Sequence, residues 1–264
     1  MTMTVQQRLV ELLGAQAGRE SIADVRIGLG YCAVRLGSGH AGVAATPPSE
    51  APGCSHLGAA GTLVGRNSAE LLAMLTDAAS PLARAVGLAT ANALLASPAS
   101  SQASRDDVLS LLALAPTDHV VMFGLFAPFL PRLREIGCRV DVVELDPRRA
   151  STVRSGSEAE VSARCTVAII TGTTLINGTF DEVAAGLRRT RAAVLLGPST
   201  PMCPEAFRDA PITHLSGSRV RNVEGVLRVA SEGGGTMKMR PFLDFETVRT
   251  DRRRERYGEG GRLP

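Results

Sequence analysis

Tryptophan is absent from this 264-residue sequence, and aromatic residues make up only 3% of it. Lysine occurs once, at Lys238, so nearly all of the 29 basic residues are arginine. They are balanced by 26 acidic residues, which leaves a net charge of +3, and no basic stretch is interleaved with aromatic residues. This composition argues against a nucleic-acid partner and predicts a core built from Ala, Val, Leu and Ile.

Long hydrophobic runs are also missing. No apolar stretch reaches the roughly 18 residues that a membrane-spanning helix needs. The N-terminal segment MTMTVQQRLVELLG has neither the basic start nor the long apolar centre of a secretory signal. We therefore expect a cytoplasmic protein with no membrane partner.

Cysteine is sparse and scattered, and no C-x-x-C pair occurs. The five positions make an odd number, which argues against a disulfide framework or a structural zinc cluster. They are Cys32, Cys54, Cys138, Cys165 and Cys203.

The first part of the chain has the pattern of a small α+β domain. Apolar spacing predicts a helix over residues 4–17, and alternating residues over 25–45 predict an antiparallel hairpin or meander. A Pro- and Gly-rich loop follows over 47–61. Two helices come next, with Ser68 expected to cap the first and Pro81 to open the second. We assign this domain to residues 1–97.

The second part alternates strand-like and helix-like segments. Apolar runs separated by helical segments predict a parallel sheet covered on both faces, over residues 104–240. The basic end, 247–264, lacks apolar periodicity and is expected to be a flexible tail. The five strand-like runs are HVVMFGLF (119–126), RVDVVELD (139–146), CTVAIITG (165–172), AAVLLGPS (192–199) and ITHLSGS (212–218).

Polar and glycine-containing turns follow every one of these runs. In an open parallel sheet, ligands bind outside the carboxyl ends of the strands, where the strand order reverses. With the common order 3-2-1-4-5, the turn after the first strand lies beside the turn after the fourth. The candidate ligand residues at the ends of the first, third and fourth strands are Gly124, Phe126, Pro128, Thr171, Thr173, Thr174, Gly197, Pro198, Ser199 and Thr200.

The turn GPSTP supports two interpretations. Its prolines fix the backbone, so that Ser199 and Thr200 can present hydroxyl groups to an anionic ligand at the start of a helical turn. Alternatively, Thr200 is an ordinary helix cap and the prolines only end the strand.

An acidic pair follows the second strand. Asp146 lies about twenty residues beyond Gly124, the offset of the ribose-binding carboxylate in dinucleotide-binding units. Phe126 replaces the second glycine of the G-x-G-x-x-G pattern, which argues against NAD. Two interpretations of the acidic pair stay open: binding of a smaller adenosine-type ligand, and simple helix capping by Glu144 and Asp146.

The segment TGTTLINGTFDEV has a partly structural explanation. Thr179 and Glu182 have the spacing of a capping box, and Asn177-Gly178 favours a tight turn. The three threonines before them have no such explanation and could line the crevice.

A metal site is a further hypothesis. Cys54 and His56 lie in the 47–61 loop, and Cys203 follows the fourth strand, so a transition metal could bind these soft ligands. The competing interpretation is that they are core thiols and a surface imidazole.

Six motifs, in this order, resemble those of the heavy-metal-chelation family: GLGYCAVRL, GTLVGRNSAELLAML, PLARAVGLATANALL, VMFGLFAPFLPRLRE, ITGTTLINGTFDEV and LGPSTPMCPEAF. The resemblance covers about residues 5–235. It implies an enolase N-terminal-like domain followed by a Rossmann-like domain, with a site in the cleft between them. That cleft would be lined by Gly124–Pro128, Thr171–Thr174, Asn177 and Gly197–Pro201.

Three functional hypotheses follow. The first is binding of a small anionic metabolite or metal chelate in the interdomain cleft, as in metal chelation or metallophore metabolism. The second is an enzyme of specialised metabolism that uses an adenosine-containing cofactor or none. The third is a binding or assembly module whose contacts lie in the 47–61 loop or the tail. Each of the three hypotheses is compatible with a homo-oligomer.

Overall fold

A computed structural model describes residues 3–48, 56–96, 103–144 and 158–250. Its N-terminal region contains a three-stranded antiparallel sheet in the order β1-β2-β3, as the sequence predicts. Three helices flank this sheet. The elements are α1 (Val5–Ala17), β1 (Ile22–Ile27), β2 (Tyr31–Leu36), β3 (Ala41–Ala45), α2 (Ser68–Ala73) and α3 (Pro81–Leu94).

The helix starts are set by local hydrogen bonds. Thr4 and Gln7 form a capping box at α1. Ser80 caps α3 through the N–H of Ala83, with Pro81 in the first turn as expected. The predicted cap of α2 is wrong by one residue: Asn67 accepts the N–H of Ala69, while the Ser68 hydroxyl donates to Ala17 O. Ser68 is fully buried, and its hydroxyl is used to join α2 to the end of α1.

The C-terminal region is built on a six-stranded sheet in the order β5-β4-β6-β7-β8-β9. The first five strands run parallel, and β9 is antiparallel to β8. The strands are β4 (His119–Phe123), β5 (Arg139–Val143), β6 (Val167–Thr171), β7 (Ala192–Leu196), β8 (His214–Val220) and β9 (Leu243–Arg249). The helices are α4 (Val108–Leu111), α5 (Leu130–Ile136), α6 (Glu158–Arg164), α7 (Thr174–Asn177), α8 (Phe180–Gly186), α9 (Val223–Ser231) and α10 (Thr236–Met239).

The expected strand order is wrong. Numbered from β4, the parallel strands lie in the order 2-1-3-4-5 instead of 3-2-1-4-5. The chain returns from β5 past β4 to add β6 on the other side, so the order reverses between β4 and β6. The turn after β4 therefore lies beside the turn after β6, and the turn after β7 is one strand further along.

The predicted tail begins too early. Thr247 to Arg249 complete β9, and Thr247 is only 4% exposed. Its side chain donates to the Ser216 hydroxyl at 2.9 Å, and its backbone exchanges two hydrogen bonds with Ser104. Pairing with the open edge of β8 thus orders a segment that has no obvious apolar periodicity. The remainder, 251–264, lies outside the described residues.

One continuous apolar cluster joins the two regions. It contains side chains of α1, α2 and α3 together with one face of β4, β6 and β7. The opposite face of the sheet packs against α4 and α5. A third cluster places α9 and α10 against the outer face of β2 and β3. Among the described residues no helix is long and apolar enough to cross a membrane.

Candidate functional site

The turns after β4 and β6 are in direct contact at the point where the strand order reverses. Gly124 has φ +94°, and its N–H donates to Val143 O at 2.8 Å. A β-carbon at Gly124 would lie 2.8 Å from Cγ2 of Thr171. Glycine is required at this position by both its conformation and the space beside Thr171. We call this place, bounded by the turns that begin at Gly124, Thr171 and Gly197, the strand-end crevice.

Three threonines of the turn after β6 have different surroundings. The hydroxyls of Thr171 and Thr173 lie 3.1 Å apart, and both residues are half-buried. Thr174 is buried and donates to Thr171 O at 2.8 Å. Thr174 therefore has a structural role at the start of α7, whereas Thr171 and Thr173 can offer hydroxyl groups to a ligand.

The turn after β7 connects the sheet to the N-terminal region. The Ser199 hydroxyl accepts the N–H of Ala45 at 2.8 Å, and Ser199 and Thr200 are 3% and 1% exposed. Pro198 is buried as well. Gly197 is less buried, with φ +115°, and no described residue lies within 4 Å of a β-carbon built on it. At this turn the open space therefore lies beside Gly197.

Thr200 also brings two of the turns together. A β-carbon at Gly172 would lie 2.9 Å from Thr200 N and 3.0 Å from its Oγ1. This Oγ1 is buried without a hydrogen-bond partner in the part of the chain that the structure describes. The turns after β4, β6 and β7 thus form one contiguous edge, as expected from the sequence, although their order differs.

Phe126, the aromatic residue of the turn after β4, contributes to packing. Phe126 stacks on Phe129 with ring centroids 5.9 Å apart, while Pro128 is exposed within a 3-10 turn. The N–H of Leu125 donates to the Glu144 carboxylate at 3.0 Å. Asp146, the candidate ribose ligand, lies outside the described residues.

Asn177 lies at the far end of α7, away from the Gly124 turn. Its Oδ1 accepts the N–H of Thr179 at 3.2 Å and the Thr179 hydroxyl at 2.8 Å. The predicted capping box of Thr179 and Glu182 is consequently absent, because Thr179 uses its hydroxyl on Asn177 and makes no side-chain cap bond. Gly178 has φ +82°, as the predicted tight turn requires.

The structure does not bring the predicted metal ligands together within the part of the chain that it describes. Cys54 lies outside them, and His56 is exposed. Cys203 is buried, which raises the pKa of its thiol to about 11, and its Sγ donates to Glu205 Oε2 at 3.6 Å. A thiol with this pKa stays protonated at neutral pH when no metal ion is bound. Within the described ranges no three His, Cys, Asp or Glu side chains are placed to hold a metal ion.

Arg219 is a further candidate ligand-binding residue, which the sequence pattern does not indicate. It lies near the carboxyl end of β8, and its Nε donates to Glu246 of β9 at 2.9 Å. Its Nη1 is buried and has no hydrogen-bond partner among the residues described. On the same face of β8, a β-carbon at Gly217 would lie 2.7 Å from Thr200 O. The signal that could have found Arg219 is its pairing with Glu246, which requires β9 to be recognised as a strand.

Two family models match the chain. A model named DUF364 and described as "Putative heavy-metal chelation" matches residues 107–249, and a second, DUF4213, with the same description, matches residues 10–95. The chain belongs to the DUF364 family.

Solved structures share the fold. A DUF364 protein of unknown function from Pyrococcus horikoshii is similar with a TM-score of 0.81 at 20% identity, covering 93% of this chain and 100% of its own. A DUF364 protein from Desulfitobacterium hafniense gives a TM-score of 0.76 at 19% identity, covering 92% and 98%.

A sequence relative is uncharacterized as well. A protein of Methanocaldococcus jannaschii is 34% identical over 58 residues, which is 22% of each chain. The chain therefore matches only about a fifth of this relative's length, and the similarity carries no activity with it.

Proposed function

We propose that this protein binds a small anionic metabolite, or a metal ion already held by an organic chelator, in the strand-end crevice. The residues proposed to contact the ligand are Gly124, Thr171, Thr173 and Gly197, with the backbone of the turns around them. Thr174, Ser199 and Thr200 are proposed to hold these turns in place, because their side chains are buried.

The observation that carries the proposal is the contact of Gly124 with Thr171 at the reversal of strand order. In open parallel sheets this is where ligands bind, because the crossing helices leave on opposite faces and a crevice remains between the strand ends. Gly124 lets the turn after β4 pack closely against Thr171 there, and the two half-buried threonine hydroxyls supply donors for oxygen atoms of a ligand.

A chelate fits the described residues better than a bare ion. The family description refers to heavy-metal chelation, and metal ions need several deprotonated ligands. Within the described ranges no three His, Cys, Asp or Glu side chains are placed to hold a metal ion, and Cys32, Cys165 and Cys203 are buried. An organic chelator would bring its own ligands, and the protein would then recognise mainly the oxygen atoms of the chelator.

The test is a titration of untagged protein with Ni²⁺, Co²⁺ and Zn²⁺, each alone and as its citrate complex, with citrate alone for comparison. We expect saturable binding of at least one citrate complex, or of citrate itself, and weaker binding of the bare ions. S-adenosylmethionine, NAD and ATP belong in the same series, because binding of one of these would favour the adenosine-cofactor hypothesis instead.

Two variants connect binding to the crevice. Thr171→Val and Thr173→Val each remove one hydroxyl at nearly constant volume and should weaken binding by about tenfold per lost hydrogen bond to a charged group. Thr190→Val is the matched control, because Thr190 is also half-buried but donates to Cys165 O at 3.2 Å, before β7 starts. Equal affinity in all three variants would contradict the proposed site.

A further inference from the structure

A pocket of about 400 Å³ opens where the start of α1 and the turn before α3 meet the end of α7. It contains none of the four residues proposed to contact the ligand in the strand-end crevice. Its volume lies within the range of small-molecule sites. We call it the Arg84 pocket, and its polar wall includes Gln6, Asp77, Arg84, Asn177 and Gly178.

Arg84 is a cation that is only 9% exposed. Its Nε donates to Ile176 O, and its Nη1 donates to Asp77 O at 2.7 Å and Ala78 O at 3.2 Å. Its Nη2 has no hydrogen-bond partner among the described residues and lies 3.8 Å from a β-carbon built on Gly178. Because its partners are neutral carbonyls, the guanidinium keeps one nitrogen and its charge for a ligand.

A carboxylate lies in the same wall. Oδ1 of Asp77 accepts the N–H groups of Ala79 at 2.8 Å and Ser80 at 2.9 Å. These N–H groups, followed by the charge of Arg84, lower the pKa of Asp77, so it is ionised at neutral pH. In the part of the chain that the structure describes, its Oδ2 has no hydrogen-bond partner. The pocket therefore offers one positive and one negative group.

Two neutral amides, those of Gln6 and Asn177, border the pocket. Gln6 is 8% exposed, and its Nε2 donates to Leu175 O at 3.2 Å, while its Oε1 is buried without a partner among the described residues. Asn177 uses Oδ1 for Thr179, and its Nδ2 makes no hydrogen bond within the described ranges. Gln6 Oε1 is shielded from solvent, so Asn177 Nδ2 is the amide group that a ligand in the pocket can reach.

We propose that the Arg84 pocket binds a small α-amino acid in its zwitterionic form. The carboxylate is recognised by Arg84 Nη2 and Asn177 Nδ2, and the ammonium by Asp77 Oδ2. A simple anion would be repelled by Asp77. This site is independent of the ligand proposed for the strand-end crevice.

The experiment is isothermal titration of the untagged full chain with L-alanine, propionate and L-alaninamide. Propionate lacks the ammonium group, and L-alaninamide lacks the carboxylate. We expect saturable binding of L-alanine and affinities at least about tenfold lower for both analogues, since each loses a charge-assisted interaction. Glycine and L-serine extend the series if the methyl group of L-alanine is unfavourable.

Two isosteric variants connect the binding to named atoms. Asn177→Asp keeps an oxygen for Thr179 but replaces the Nδ2 donor with a negative oxygen. Asp77→Asn keeps an oxygen for Ala79 and Ser80 but removes the negative charge. Each should weaken L-alanine binding by about tenfold or more.

Asn222→Asp is the matched control, because Asn222 caps α9 through Oδ1 and lies in a different part of the fold. Circular dichroism checks that each variant is folded, and the analogue series on the parent chain tests the proposal even if a variant is not. The proposal is overturned if none of the three amino acids binds, if propionate binds as tightly as L-alanine, or if both variants retain full affinity.

Discussion

The hydroxyl oxygen of Ser199 accepts a hydrogen bond from the backbone N–H of Ala45 at 2.8 Å. This bond joins the turn after β7 to the last residue of β3, and therefore links the two regions of the chain beside the strand-end crevice. Asn92 adds to the link, because its Nδ2 donates to Val43 O at 2.8 Å and to Ser199 O at 3.3 Å.

We predict that Ser199→Ala destabilises the protein by about 1–3 kcal/mol, because the N–H of half-buried Ala45 would lose its partner. The free energy of unfolding in urea measures this directly. Ser218→Ala is the comparison, since the Ser218 hydroxyl is buried without a partner in the described part of the chain. That variant should be neutral or slightly stabilising. If the two variants lose equal stability, the Ser199 bond has no special role.

Replacing each of two glycines by alanine should change the stability of the protein in opposite directions. At both positions, no described residue lies within 4 Å of the added β-carbon. Gly197→Ala places a side chain at φ +115° and should cost about 1–3 kcal/mol through backbone strain. Gly14 lies inside α1, so Gly14→Ala should add about 0.5–1 kcal/mol through helix propensity. Thermal unfolding of both variants checks the signs, and a Gly197→Ala variant as stable as the parent would contradict the backbone geometry of this turn.

The sequence pattern identified the parallel strands well, because each buried strand is a short apolar run that ends in turn residues. HVVMFGLF contains β4 (His119–Phe123), and AAVLLGPS contains β7 (Ala192–Leu196). Strand order was missed, since the side on which a strand joins a sheet depends on the path of the crossover connection and leaves no mark in local periodicity. β9 was missed because its residues alternate weakly, and it is ordered by pairing with β8.

The candidate site was only partly predictable. Turn residues at the strand ends were found because glycine and threonine are conspicuous after apolar runs. Arg84 and Arg219 were not found, because a buried arginine is distinguished only by its distant partners, Ile176 O for the first and Glu246 for the second. Neither partner lies near in sequence.

Lowering the pH should decrease the free energy of unfolding, because Asp118 becomes protonated. Arg191 donates to this carboxylate from Nη2 at 2.5 Å and from Nε at 3.0 Å, and these bonds lower its pKa to about 2. Since an unfolded Asp titrates near pH ~3.9, the unfolded state takes up the proton first as the pH falls. The stabilisation is thus complete above about pH 4 and is lost as the pH falls through 2.

Asp118→Asn should cost roughly 1–2 kcal/mol at pH 7, less than the full effect of the pKa shift because Arg191 is partly exposed to solvent. The difference in unfolding free energy between parent and variant should narrow towards pH 2. A difference that stays constant from pH 7 to pH 2 would show that the ion pair does not contribute in this way.

The β1–β2 hairpin should tolerate no side chain where it meets α9. A β-carbon at Gly28 would lie 1.8 Å from Ala230 O, so Gly28→Ala must displace backbone and should cost about 3 kcal/mol or more. Gly58→Ala is the control, since no described residue lies within 4 Å of the added carbon, and the expected change is within about 0.5 kcal/mol. Similar urea midpoints for the two variants would mean that α9 does not pack against the hairpin as described.

The most direct test of the crevice proposal is anomalous X-ray diffraction from crystals of untagged protein grown with nickel citrate. The account predicts an anomalous peak, with electron density for the chelator, beside Gly124, Thr171 and Thr173. A nickel ion bound elsewhere, and only by cysteine or histidine side chains, would contradict it. So would a crevice without ligand density, if nickel citrate binds to the protein in solution.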